Sequence, residues 1–223
     1  ATIALCEAYG ISKDPKLKEP AQKALDYIVV SQSPTKGGWH YVGAVKHNGI
    51  YQPTKTADTS VTSWQFMALH SGTMAGLKVP EQTFVKARRW LDFVGGGRFG
   101  GLYGYNSPAS KNPRMIATGM FCRQLDLVPP TDQRMMESAQ ALKLAKLSAT
   151  RVDYYYLYYG TLALYQHQGP IWTEWNDRLK EIIPTLQDKH GANAGSWPAE
   201  TALSHFKSTG RAVTTGISTL SLE

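Results

Sequence analysis

The sequence predicts an all-α chain of repeated helical hairpins in two concentric layers. Two observations carry this: amphipathic helical stretches alternate with stretches that have no polar side, and the joints between them repeat. The first one-sided stretch is Ala21, Ala24, Leu25, Ile28 and Val29, with the spacing of one helical face and with Pro20 placed as a first-turn proline. Phe84, Ala87, Leu91 and Val94 follow the same rule, as do Met135, Ala139 and Leu142, and then Trp175, Leu179, Ile182 and Leu186. Between them, Ala1 to Tyr9, Thr59 to His70, Met115 to Leu125, Tyr154 to Gln166 and Ala212 to Leu222 are apolar or small on all sides. A helix without a polar face must be covered on more than one side, so this second set forms the inner layer.

The joints support the same reading. Gly10, Gly72 and Gly169 stand where inner helices are expected to end, and Pro15, Pro80 and Pro170 precede the next outer helix, with Pro129-Pro130 doing this after Leu127. Outer helices run into glycine-aromatic turns at Gly37-Gly38-Trp39, Gly100 to Tyr105 and Gly195-Ser196-Trp197. The period of roughly 40 to 60 residues is in or slightly beyond the range of helical arrays. Five inner and four outer helices make an incomplete ring or arc.

Composition agrees with one folded unit spanning residues 1–223. Hydrophobic residues make up 42% and charged residues 18%, and 20 glycines with 12 prolines fit frequent sharp turns rather than disorder. No low-complexity linker divides the chain. The net charge of +7 comes from 24 Lys and Arg against 17 Asp and Glu, spread along the chain in solvent-facing positions such as Arg88-Arg89. Diffuse positive charge without a recognition motif does not point to nucleic acid. Cys6 and Cys122 lie in apolar helical stretches, so neither a disulfide framework nor a CxxC metal site is expected. No run is long and apolar enough for a transmembrane segment. The chain starts without Met inside a helix and ends inside another, as a fragment of a longer protein would, and a targeting segment would then lie outside it.

Several segments resemble a known superfamily. Gln32 with Gly37-Gly38-Trp39, and Gln187 with Gly195-Ser196-Trp197, resemble the QW motif of squalene-hopene and oxidosqualene cyclases. In that motif the Gln caps a neighbouring helix and the Trp covers the turn. The run from Gly37 through Asp58-Thr59 to Leu69 is similar to the cyclase and protein-prenyltransferase repeat, in which Asp-Thr opens an inner helix. The segments ATIALCEAYG, DTSVTSWQFMAL and DYYYLYYGTLAL are similar to bacterial proteins named for prenyltransferase and squalene-oxidase repeats. The resemblance covers most of the chain and implies an α/α toroid.

The catalytic devices of that superfamily are missing. Its class II cyclases protonate an alkene or epoxide with the middle Asp of a DxDD box, and here the matching stretch reads Lys55-Thr56-Ala57-Asp58. Its prenyltransferases hold zinc with an Asp, a Cys two residues later and a His, whereas Asp58-Thr59-Ser60 has no sulfur ligand and His40, His47, His70 and His167 show no ligand spacing. The complement-type GCGEQ thioester is also absent. No metal or cofactor is expected.

Asp58 and Asp153 are the candidate catalytic carboxylates, but each precedes a helix start and reads first as an N-cap, worth about 1 kcal/mol. The tyrosines at 154, 155, 156, 158 and 159 cannot all face the outer layer at about 100° per residue. Trp64, Tyr154, Tyr155 and Tyr158 are therefore the ligand-binding candidates, with Trp39, Tyr103 and Tyr105 as further aromatic lining; alternatively, these side chains fill the layer interface.

The functional expectation is a non-catalytic module that binds an apolar, isoprenoid-like ligand or a protein partner. Two alternatives are an enzyme acting on an isoprenoid, with Asp58 and Asp153 near the cavity mouth, and a carbohydrate-active (α/α) toroid using paired carboxylates among Asp58, Asp153 and Glu200. An Asp at a helix N-terminus is held ionised by amides and dipole and cannot protonate an alkene. Incubation with squalene or a prenyl diphosphate is therefore expected to release no cyclised product, and a product that disappears in Asp58→Asn would overturn this.

Overall fold

The structure, a computed structural model, describes residues 1–145, 147–148, 152–201 and 208–222. It is all-α, with nine α-helices among the described residues: α1 (Thr2–Ser12), α2 (Pro15–Ser31), α3 (Thr59–Met74), α4 (Glu81–Val94), α5 (Pro113–Leu125), α6 (Gln133–Leu144), α7 (Tyr154–His167), α8 (Pro170–Ile182) and α9 (Arg211–Leu222). Two short antiparallel strand pairs interrupt the turns. β1 (Val45–His47) pairs with β2 (Ile50–Gln52), and β3 (Gly95–Gly96) pairs with β4 (Leu102–Tyr103). No helix among the described residues is long and apolar enough to cross a membrane.

The odd-numbered helices pack side by side in chain order, α1 on α3, α3 on α5, α5 on α7 and α7 on α9. The even-numbered helices form a second layer, with α2 against α1 and α3, α4 against α3, α6 against α5 and α7, and α8 against α7. The residue patterns explain this division. In α4, Phe84, Ala87, Leu91 and Val94 are buried together with Trp90, while Arg89 faces solvent. In α5 every side chain from Met115 to Gln124 is buried. Full burial of a residue such as Phe84 or Leu91 contributes about 1.5–3 kcal/mol, so the layer interface is the main source of stability.

The layers meet where the first set of helices carries glycine. A Cβ on Gly72 in α3 would stand 2.5 Å from the Leu25 side chain, one on Gly119 in α5 would stand 2.2 Å from the Tyr103 ring, and one on Gly160 in α7 would stand 2.6 Å from Trp175. Each glycine is a notch that receives a large side chain, from the covering helices α2 and α8 at Gly72 and Gly160 and from strand β4 at Gly119.

This corrects three expectations. Gly72 does not end its helix: α3 continues to Met74, and the terminator is Gly76 with φ +83°. Gly10 likewise lies inside α1, which closes on Lys13 at φ 54°. Pro20 is internal to α2, whose first-turn proline is Pro15, with Asp14 accepting from the Lys16 amide. The last helix also departs from an all-round apolar pattern. α9 buries Thr214, Ser218 and Ser221, while Val213, Leu220 and Leu222 are exposed.

The glycine-aromatic turns act as clamps. Trp39 Nε1 donates to Ile28 O at 2.7 Å, satisfying a carbonyl in the last turn of α2, and the Trp39 amide donates to Thr62 Oγ1 at 3.0 Å. Trp197 repeats both bonds, to Ile183 O at 2.7 Å and Thr215 Oγ1 at 3.1 Å. Gln32 Nε2 donates to Gly37 O at 2.7 Å and Thr83 O at 2.9 Å, tying the end of α2 to the first turn of α4; Gln187 Nε2 donates to Gly195 O at 2.9 Å. The two aromatic turns are thus equivalent in two repeats.

Gly119→Ala should destabilise the fold by about 1–3 kcal/mol, because the buried Tyr103 ring has nowhere to move. Gly216→Ala, in an exposed stretch of α9 where a Cβ meets nothing within 4 Å, should instead stabilise by about 0.5–1 kcal/mol. Denaturant midpoints of the two variants should shift in opposite directions.

Candidate functional site

Each return helix lets the next odd-numbered helix run in the same direction, so the N-termini of α3, α5, α7 and α9 come together at one end of the layer. Polar caps hold three of them. Asp58 Oδ1 accepts from the Val61 amide at 2.8 Å, Asn112 Oδ1 from the Met115 amide at 3.2 Å, and Asp153 Oδ1 from the Tyr156 amide at 3.0 Å. Sequence reading found the two aspartates and missed Asn112, although it precedes Pro113 as a cap should.

A cavity of about 510 Å³ opens at this end. Val61 and Trp64 from α3, Met115 from α5, and Val213 and Ile217 from α9 give it an apolar lining. Tyr41, Ser60, Tyr105, Asn112, Arg114 and Tyr155 supply polar groups. A neighbouring cavity of about 420 Å³ shares Tyr41, Val61 and Trp64 and extends past Trp39 and His40, so the two form one groove over the start of α3.

Of the sequence candidates, Trp64 and Tyr155 line the 510 Å³ cavity. Tyr158 does not; it stacks on Trp64 with ring centroids 5.5 Å apart and an interplanar angle of 12°, backing that ring from behind. Tyr154 is fully buried in the apolar core. Tyr105 lines the cavity and Trp39 the neighbouring one, whereas Tyr103 is fully buried and accepts from Arg123 Nε at 3.3 Å. Ser60 stood in the sequence only as the residue where a zinc site would need a sulfur ligand, and Arg114 carried no motif signal; what marks both is their place in the first turn of a helix whose N-terminus meets the others.

Hydroxyl groups join the helices beneath the cavity. Tyr155 Oη donates to Ser60 O at 3.2 Å and lies 3.2 Å from Ser63 Oγ, which is 2.8 Å from Tyr159 Oη. Burial pushes the Tyr155 and Tyr159 phenols well above their usual range, so both stay neutral. Burial, followed by the negative charge of Asp58, raises the Tyr105 phenol to about 12.

The carboxylates are committed. Asp58 is 1% exposed, and Ser60 Oγ donates to its Oδ1 at 2.6 Å; its Oδ2 is buried without a hydrogen-bond partner. Asp153 Oδ2 pairs with Arg114 Nε at 3.1 Å. Glu200 is exposed and lines none of these cavities. Glu174, Asp177 and Glu181 border a shallower groove of about 740 Å³, but they all project from α8, and two of them pair with Lys143 and Arg178. Asp58, Asp153 and Glu200 are not among the residues lining these cavities, whereas glycoside hydrolysis needs two carboxylates that face one cleft.

Among the described residues no three His, Cys, Asp or Glu side chains gather as a metal-ligand set. Cys6 and Cys122 are free and buried, and burial raises both thiols. Ala57 is buried beside the Trp39 turn, where a Gly38 Cβ would stand 3.0 Å from it. Comparisons with family models, curated proteins and solved structures find no match for this chain.

Asp58→Ala should cost about 1 kcal/mol through the lost cap, lowering Tm by about 2–4 °C, whereas Asp58→Asn, which keeps an acceptor at Oδ1, should cost less than half of that. Equal losses in thermal unfolding would show that capping is not what Asp58 contributes.

Proposed function

We propose that this chain is a non-catalytic binding module whose groove over the start of α3 takes an apolar ligand. The observation that carries the reading is the 510 Å³ cavity, lined by Val61, Trp64, Met115, Val213 and Ile217 and bordered by polar groups at one end. An apolar cleft with a few convergent polar groups is the usual form of a small-molecule site. The volume lies within the range for ligands of drug or lipid-chain size.

The alternating layers and the QW-like clamps support an α/α-toroid scaffold of the cyclase and prenyltransferase type. The residues at the expected acid position support binding without chemistry. Ala57 cannot donate a proton, and Asp58 is occupied as a helix cap, accepting from the Val61 amide and the Ser60 hydroxyl. Asp153 is paired with Arg114 and Glu200 is exposed, and neither is among the residues that line the cavity.

Nile red, a neutral apolar fluorophore, should bind wild-type protein with a blue-shifted emission. Val61→Asp, which places a charge on the groove floor, should weaken it by about tenfold or more, because a carboxylate buried against an apolar ligand has no partner. Ile11→Asp, at an exposed position of α1, serves as the surface control and should leave binding unchanged. Nile red binding that is unaffected in folded Val61→Asp, as judged by circular dichroism, would overturn the reading.

A further inference from the structure

Between Trp39 and Asp58 the chain leaves the helical layers and forms the β1–β2 hairpin. Its turn is Asn48-Gly49, with φ 48° and 82°, the left-handed pair that a two-residue hairpin turn requires. Two-stranded hairpins are marginal on their own in water, and this one is anchored to α2 at its base. Tyr27 Oη donates to Ala44 O at 3.2 Å, the Ala44 amide donates to Ser31 Oγ at 3.1 Å, and the Tyr51 ring meets Tyr27 edge-on with centroids 5.6 Å apart. Cross-strand partners share a face, so Lys46 and Tyr51 look toward α2, whereas Val45, His47, Ile50 and Gln52 look away from it. That outward face is open to solvent: all six strand residues are exposed, Val45 by 60% and Ile50 by 69%.

The surroundings of this face carry one sign of charge. From Tyr27 to Ala57 the chain has no Asp, Glu or Arg, while Lys36, Lys46 and Lys55 are all exposed. Of the carboxylates that bracket the segment, Asp58 is buried and Asp26 accepts from Gln22 Nε2 a turn back on α2. Tyr41 and Val42, just before the hairpin, are exposed as well. Exposed aliphatic residues, tyrosine rings and lysines without acidic neighbours suit the interface of an anionic bilayer, where apolar groups enter below the headgroups and lysines meet phosphates. A protein partner is a poorer match, since protein interfaces favour Arg and disfavour Lys.

We infer that the outward face of the β1–β2 hairpin docks this chain on an anionic lipid surface, with Val45 and Ile50 in the layer between headgroups and acyl chains and Lys46 and Lys55 drawn to lipid phosphates. The hairpin is one sheet thick, so Lys46 on its inner face stays within a Debye length of the headgroups, about 8–10 Å at moderate salt. Tyr41 also lines both cavities of the groove, so docking brings the groove beside the bilayer. The docking face goes beyond the groove's ligand and stands without it.

The test is co-sedimentation with vesicles of phosphatidylcholine alone and of phosphatidylcholine mixed with phosphatidylglycerol. Wild-type protein should bind the mixed vesicles about tenfold or more tightly than the neutral ones, and added salt should weaken that binding. Val45→Thr/Ile50→Thr keeps β-branched residues in the strands while removing apolar surface, and should weaken binding to mixed vesicles by about threefold or more. Lys46→Glu/Lys55→Glu should weaken it by about tenfold or more, whereas Lys16→Glu/Lys18→Glu, the same charge change at the far end of α2, should alter it by less than about threefold. Wild-type protein that binds both vesicle types equally, or neither, would overturn the inference and leave the face to an acidic protein partner. Threonine variants that bind like wild type would do the same, as would equal losses in the two lysine pairs, because diffuse net charge would then account for the binding. Nile red binding without vesicles separates the two readings: if it ignores Val61→Asp while vesicle binding follows the hairpin variants, the groove fails and the docking face stands.

Discussion

The whole arrangement depends on how closely the two helix layers approach. Helices α3, α5 and α7 have odd-numbered neighbours on both flanks, so their outer side is left for the covering layer, and that side must accept very large groups. Gly72, Gly119 and Gly160 give up their side chains for this, and Leu25, Tyr103 and Trp175 fill the space. Interiors are packed at crystal-like density, so a notch and its occupant have to match almost to the size of a methyl group. Glycine in a helix interior costs about 1 kcal/mol relative to alanine, and burial of the receiving aromatic or leucine offsets it.

The end clamps follow from the same geometry. An even-numbered helix that packs at this depth ends against the first turn of the next odd-numbered helix, leaving carbonyls of its last turn out of reach of water. Trp39 and Trp197 supply the missing donors through their indole nitrogens, and their backbone amides bond to Thr62 and Thr215 in the helices that follow. Gln32 extends the contact to α4 through Thr83. A tryptophan suits this place because it covers apolar area and carries one donor at its edge.

The candidate site is a by-product of this periodicity. Because each even-numbered helix returns the chain, the odd-numbered helices share a direction, and their first turns meet at one end. The residues that cap them, Asp58, Asn112 and Asp153, bring charge and hydrogen-bonding capacity to that end, while Val61, Trp64 and Met115 in the same turns supply apolar surface. Stability and binding are thereby coupled. The carboxylate that caps α3 also fixes the hydrogen of Ser60, and the one that caps α7 neutralises Arg114.

Local pattern was enough for the elements. The spacing of Phe84, Ala87, Leu91 and Val94 marked a one-sided helix, the apolar or small residues on all sides from Met115 to Phe121 marked a covered one, and Asp58 and Asp153 announced their caps, because each signal depends only on residues a turn or so apart. Glycine was misread for the opposite reason. Gly72 and Gly76 are alike in sequence, and only the presence of Leu25 beside one and a positive φ at the other shows which is a notch and which a terminator. The tyrosines of α7 divide in the same way: the sequence placed them on one helix, but packing against Trp175 of α8 took Tyr156, packing against Trp64 took Tyr158, and Tyr155 was left at the cavity. Ser60 and Arg114 had no signal of this kind, since their role comes from the meeting of four separate helices. The sequence by itself thus determined the helices, the alternation of their two classes up to α8 and the caps at Asp58 and Asp153, through short-range periodicity and end chemistry; the tertiary structure alone decided which side chains face a common space, because that depends on distances between residues far apart in the chain, as between Ser63 and Tyr155, 92 positions apart.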